Sequence, residues 1–170
     1  MIKKIIINGR ACSGKDTIAD YLVKKYGFEK YSFADDIYII ARQYFNMKTK
    51  DRRLLQQIGD KMREIDPDVW AKTTFDKLED IDKAVIPDCR RSNEYKFAIK
   101  HAFYPIRVFA NLDVRIQRAI ERDGEYPDLS LWENESEVGA DNCKYYYEID
   151  NNYDFNYLYD QIDEMLKMER

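Results

Sequence analysis

The stretch from Lys3 to Thr17 runs a β-branched apolar segment into a glycine loop that closes on Gly14-Lys15. Gly9 to Lys15 carries the G-x-x-x-x-G-K spacing of a phosphate-binding loop. Glycines let such a backbone curl so that successive N–H groups point into one concavity, which suits an anion. A helix beginning there adds its positive end, and Lys15 adds a mobile full charge. Ile5, Ile6 and Ile7 read as a buried parallel strand. Thr17 to Tyr26 reads as helix, with Ile18, Leu22 and Lys25/Tyr26 at helical spacing. The competing reading is a glycine turn between strand and helix that binds nothing. Strand, loop and helix in the required order favour a nucleoside triphosphate site instead. The candidate residues are Gly9, Arg10, Ala11, Cys12, Ser13, Gly14, Lys15, Asp16 and Thr17.

The residue after Lys15 is Asp16, where such a loop ordinarily has a Ser or Thr that ligates magnesium; Thr17 follows one place later. An acidic group there should point away from the phosphates or meet magnesium through water. SGKDT resembles the GKGT variant of nucleoside monophosphate kinases, in which magnesium is held largely by water and by the phosphates. The resemblance implies phosphoryl transfer from ATP to a small acceptor, with Mg2+ present and Thr17 reaching it via water, rather than a GTPase switch.

At 170 residues the chain fits one compact domain with a sizeable core. A net charge of −4 argues against a protein that coats nucleic acid, so no stable nucleic-acid binding is expected. No apolar run approaches the ~20 residues that span a membrane, and the N-terminus goes directly into a strand without a signal peptide. A cytoplasmic setting follows, in a bacterium or a phage-infected host. Cys12, Cys89 and Cys143 are odd in number and lack metal spacing, which suits reduced thiols. A single histidine, His101, removes most histidine-based mechanisms and reads as a surface residue near a helix end. The expected partners are small-molecule nucleotides, with a homodimer left open.

Further along, Lys30 to Phe33 reads as a short strand and Ala34 to about Phe45 as helix. Asp51 to Ile65 and Val69 to Leu78 read as two more helices, the second capped by Asp66 with Pro67 in its first position. Lys83 to Pro87, Ile106 to Ala110 and Tyr145 to Ile149 read as strands. Helices are expected at Ser92 to Ala102, Asp113 to Arg122 and Phe155 to Met168. Alternating strands and helices predict an α/β fold: a five-stranded parallel sheet flanked by helices, of the P-loop NTPase and nucleoside monophosphate kinase type. Residues 34–80 form an expected helical acceptor-binding insertion, and 113–142 an expected lid. In such sheets the ligand lies at the carboxyl ends of the strands.

At the end of the third strand stand Asp88, Arg90 and Arg91, then Asn93 and Glu94. Asp88 is placed to hold magnesium through water. Arg90 and Arg91 can fork onto a phosphate, the alternative being a loop ion-pair cluster with Glu94. Arg115, Arg118 and Arg122 share one helix face at spacings of three and four. If the following loop closes as a lid, Arg118 and Arg122 would bring positive charge to the transferred phosphoryl. In the helical insertion, Arg42 and Arg63 are candidates for the acceptor's phosphate and Asp35 or Asp36 for a base, each against the reading of a solvated face. Trp70 is a candidate acceptor contact, but Trp70 and Phe75 read more readily as core than as base-stacking platforms.

Several segments resemble the deoxynucleoside monophosphate kinases of bacteriophages, within the adenylate-kinase-like group. They are SGKDT, SFADDI (Ser32 to Ile37), LLQQIGDKMREIDPDVW (Leu54 to Trp70), IPDCRRSNE (Ile86 to Glu94) and ESE (Glu135 to Glu137). The family pattern resembles D-x-R-x-x-N-E, met by Asp88, Arg90, Asn93 and Glu94. The resemblance implies transfer of the ATP γ-phosphoryl to a deoxynucleoside monophosphate. It also implies that the Asp150-Asn151-Asn152 turn lies near the adenine, with Asn151 on the ATP side; Arg115 joins the ATP-binding candidates from its helix face. Arg91 stands where the pattern often has an aromatic residue. The alternative is a P-loop kinase acting on a hydroxyl of a nucleoside, a cofactor precursor such as dephospho-coenzyme A, or modified DNA, with Asp35 or Asp36 as base. A nucleotide-binding regulator without turnover is a third class.

Overall fold

The computed structural model describes residues 2–132 and 143–168. The ESE segment and the distal part of the expected lid lie outside them. Five strands form one all-parallel sheet in the order β2-β3-β1-β4-β5: β1 Lys4–Asn8, β2 Glu29–Lys30, β3 Ala84–Cys89, β4 Tyr104–Phe109 and β5 Tyr147–Asp150. Seven α-helices are described: α1 Lys15–Tyr26, α2 Asp35–Phe45, α3 Arg52–Ile65, α4 Val69–Asp76, α5 Ser92–Lys100, α6 Leu112–Asp123 and α7 Phe155–Lys167. The expected α/β architecture is therefore present, with α2, α3 and α4 inserted between the edge strand β2 and β3.

The strand period of two divides the core. Ile5 and Ile7 of β1 pack with Val85, Ile106, Val108 and Ile149 against Ile18 and Leu22 of α1 and Leu158, Ile162 and Met165 of α7. Ile6 faces the other way, with Ala84 and Ile86, onto Ile37, Ala41, Ile58, Trp70, Phe75 and Ala98. A central strand buried on both sides is what three successive isoleucines signal. No helix among the described residues is long and apolar enough to cross a membrane.

Local boundaries differ where side chains intervene. The ladder of β2 stops early because the Phe33 and Ala34 amides turn to the Asp88 carboxylate, at 3.1 and 3.2 Å. Asp88 itself is inside β3. Asp66 does not cap α4: it ends α3, accepts the Asp68 amide in a tight turn at 3.0 Å and pairs with Lys72 at 2.6 Å, leaving α4 to start at Val69. Helix α5 is capped from Arg91 rather than Ser92, because the Glu94 carboxylate reaches back to the Arg90 and Arg91 amides at 2.8 and 3.0 Å.

Candidate active site

The loop after β1 has the conformation its glycines predict. Gly9 stands at φ 154° and Gly14 at φ 102°. A Cβ on Gly9 would lie 2.6 Å from the Val108 carbonyl oxygen, and one on Gly14 would collide with Asn151 Nδ2. Neither position accepts a side chain. Cys12, at φ 59°, is the left-handed residue between them. Lys15 is nearly buried and folds its ammonium across the loop, donating to Gly9 O at 2.6 Å and Arg10 O at 2.9 Å. Ser13 Oγ is buried and has no hydrogen-bond partner among the described residues. Such a loop, with a full cation on its own carbonyls and an unmatched hydroxyl, fits a polyanion that replaces those carbonyls. Asp16 points away from it, to Lys30 at 2.8 Å.

Long-range contacts brace the loop from α6 and from the turn after β5. Arg115 is almost fully buried, stacks over the Trp132 ring at 5.0 Å and donates to Ala11 O at 3.4 Å. Arg118 donates to the carbonyls of Cys12 and Ser13 at 3.5 Å and of Asn151 at 2.8 Å. Asn151 Nδ2 donates to Ser13 O at 2.7 Å. Arg118 thus reaches the loop from α6 directly. Arg122, one turn on, is exposed and holds Asp123 at 2.9 and 2.7 Å. A cleft of ≈ 640 Å³ opens beside these residues, lined by Gly14, Thr17, Arg118, Asn151, Tyr153 and Phe155 among others. The two aromatic residues were not singled out from the sequence. Their exposure after the last strand is decided by the packing of α7.

Cys89 pairs with Asn8 in the sheet, so Arg90 and Arg91 leave β3 beside the Gly9 loop. Asp88 accepts from Ser32 Oγ at 2.5 Å and from the Phe33 and Ala34 amides, which ties the start of α2 to β3. Burial raises its pKa, opposed by these donors and by Arg90. Glu94 is buried, and burial pushes its carboxyl up to about 7 against the two amides it accepts. Asn93 bridges to Pro67 O and to Asp68, both at 2.9 Å, linking α5 to the turn before α4.

The other candidates in the insertion separate. Arg63 and Arg91 converge on Asp60, at 3.3 and 3.7 Å from one oxygen. Arg42 is exposed and lies over the Tyr38 ring at 5.5 Å. Asp35 accepts the Ser32 amide at 2.9 Å, and Asp36 pairs with Lys77 at 2.5 Å. Trp70 is 2% exposed with its indole N–H donating to Gly59 O at 3.1 Å, so it packs the insertion and offers no ring face. Asp60 was missed; its place three residues before Arg63 on a helix was the available signal.

A family model described as an AAA domain matches residues 5–138, most of the chain and the whole of the loop region. The chain belongs to the AAA domain family. Its fold is that of small P-loop kinases. A gluconokinase from Sinorhizobium meliloti superposes with TM-score 0.61 at 14% identity, covering 94% of this chain and 88% of its own. Shikimate kinase from Aquifex aeolicus gives TM-score 0.62 at 16% identity, covering 96% and 95%. Among curated proteins, the UPF0200 protein TV0279 of Thermoplasma volcanium is 24% identical over 124 residues, which is 70% of this AAA domain chain. The uncharacterized protein ORF77 of Ictalurid herpesvirus 1 is 36% identical over 73 residues, 41% of the chain. The matches span 66% and 32% of those two relatives' own lengths.

Proposed function

We propose that this chain is an ATP-dependent kinase that transfers the γ-phosphoryl group to a deoxynucleoside monophosphate, giving the diphosphate. The observation that carries the reading is the convergence of Arg63 and Arg91 on one position, Arg91 standing two residues past Cys89, which pairs with Asn8 at the start of the Gly9–Lys15 loop. Planar guanidiniums meeting at one point suit a phosphate. The carboxylates nearby are already engaged: Asp88 with Ser32 and two amides, Asp35 with an amide, Asp36 with Lys77. An acceptor phosphate needs no base, because its oxygen is already anionic, and positioning with charge neutralisation suffices. The deoxynucleoside preference rests on the resemblance of the SFADDI, LLQQIGDKMREIDPDVW and IPDCRRSNE segments to the phage enzymes.

In this mechanism the loop amides and Lys15 hold the triphosphate, and Lys15 moves from its own carbonyls to the β and γ oxygens. Arg118 and Arg115 keep the loop in shape, and Arg118 and Arg122 border the cleft that takes the ATP nucleoside. Arg63, Arg90 and Arg91 hold the acceptor. Bound magnesium would neutralise phosphate charge, with Thr17 and Asp88 as the residues that hold its water.

The structural neighbours, named for gluconate and shikimate, favour a second reading in which the acceptor is a hydroxyl. Incubating the protein with ATP, magnesium and each of the four deoxynucleoside monophosphates, and following ADP release, separates the two. Turnover with at least one monophosphate is expected. Silence with all four, alongside turnover on gluconate, shikimate or a nucleoside, would replace this reading with the second.

A further inference from the structure

Asp60 sits on α3, half exposed, where one of its oxygens faces two guanidiniums from different elements. Arg63 NH1 lies 3.3 Å from Oδ1 and Arg91 NH2 lies 3.7 Å from the same atom. An ion pair between positions three apart on a helix is ordinary. The third partner is not: Arg91 comes from the end of β3, beside the nucleotide loop. The direction of Arg63 is also set by the fold. It folds back along the helix over Gly59, where an added Cβ would stand 3.0 Å from Arg63 NH1, so the absent side chain leaves the guanidinium its resting place. Arg63 is mostly buried, and burial together with the neighbouring Arg91 charge lowers its pKa. Two cations held this close need an anion between them.

We propose that Asp60 is a built-in counter-ion that occupies the position of the acceptor's phosphate and is displaced when the acceptor binds. The inference deepens the proposed function and rests on its acceptor site. Asp60 keeps Arg63 and Arg91 together before the acceptor arrives, and it sets a threshold. An incoming anion must outcompete a tethered monoanionic carboxylate, which a phosphate monoester dianion does and a free carboxylate does not. Asp60 is then a residue that selects phosphorylated acceptors over carboxylic acids.

The test uses inorganic phosphate as probe, with binding measured by calorimetry on the full chain, alongside KM and kcat for the best monophosphate. Partly exposed ion pairs of this kind contribute little each, so releasing both arginines should tighten phosphate binding roughly three- to tenfold in Asp60→Ala. The acceptor KM should fall by a similar factor, and by more than kcat changes. Asp60→Asn, which keeps the shape and removes the charge, should move both quantities in the same direction. Weaker or unchanged phosphate binding in both variants would overturn the inference and make Asp60 a positioning residue for the arginines. Arg63→Ala and Arg91→Ala should each weaken phosphate binding. If neither does, the acceptor site itself is misplaced, a failure distinct from that of the counter-ion alone.

Discussion

Replacing Gly14 by alanine tests how the loop is held. At φ 102° a Cβ carries backbone strain of roughly 1–3 kcal/mol. The same Cβ would collide with Asn151 Nδ2, driving that amide off its 2.7 Å bond to Ser13 O. Losing a buried hydrogen bond costs a further ~1–3 kcal/mol. The stiffer unfolded chain returns roughly 0.4–1 kcal/mol. The net loss is about 1–5 kcal/mol, a large share of the roughly 5–15 kcal/mol that holds a domain of this size together. With a urea slope of roughly 2 kcal/mol/M, the unfolding midpoint should fall by about 0.5–2.5 M. Nucleotide affinity should fall with it, because the displaced backbone carries the amides that face the phosphates. The decisive assay is a double-mutant cycle with Asn151→Ala. Once Asn151 is shortened, the added methyl of Gly14→Ala meets no amide, and only the backbone strain remains. The two changes should therefore be less than additive by about 1–3 kcal/mol. Additivity to within ~0.5 kcal/mol would show that the Gly14 position and the Asn151 amide do not compete, and would refute the bracing account.

Glu94 makes stability depend on pH. Burial lifts its carboxyl to about 7, so the folded chain holds a proton that the unfolded chain releases from about pH 4.5 upward. The folded state binds more protons through that window, and stability falls as pH rises from about 4.5 to 7, by about 3 kcal/mol at ~1.4 kcal/mol per unit. Glu94→Gln should remove this slope, so the variant gains on the parent in urea titrations between pH 5 and 8; parallel profiles would refute it. Lys15→Ala should lower turnover by roughly two orders of magnitude or more, measured as ADP release, because the ammonium folded across the loop carbonyls is gone. Normal activity in that variant would mean the triphosphate binds elsewhere.

Neighbouring residues alone were enough to specify the central strand of the sheet and the curled loop that follows it. Three isoleucines followed by Gly9 to Lys15 required a central strand and an anion-binding turn, because alternation, φ preference and helix polarity are properties of neighbouring residues. The scarcity of histidine likewise limited the mechanisms available before any fold was known. Partners across the molecule were a different matter. Asp88 offers a carboxylate at the strand end, and Ser32, 56 positions away, takes it, which fastens the insertion to the sheet. Arg118 offers a guanidinium on the face of α6, and the loop carbonyls and Asn151, 33 positions on, take it. Trp70, already favoured as core by its type, is buried with its indole N–H on Gly59 O. For Asp88 and Arg118 the partner was chosen by strand order, which sets β3 beside β2 and β1 beside β4; for Trp70 it was chosen by the packing of α4 on α3. A local pattern fixes which groups a residue offers; only the packed sheet fixes which groups stand close enough to take them.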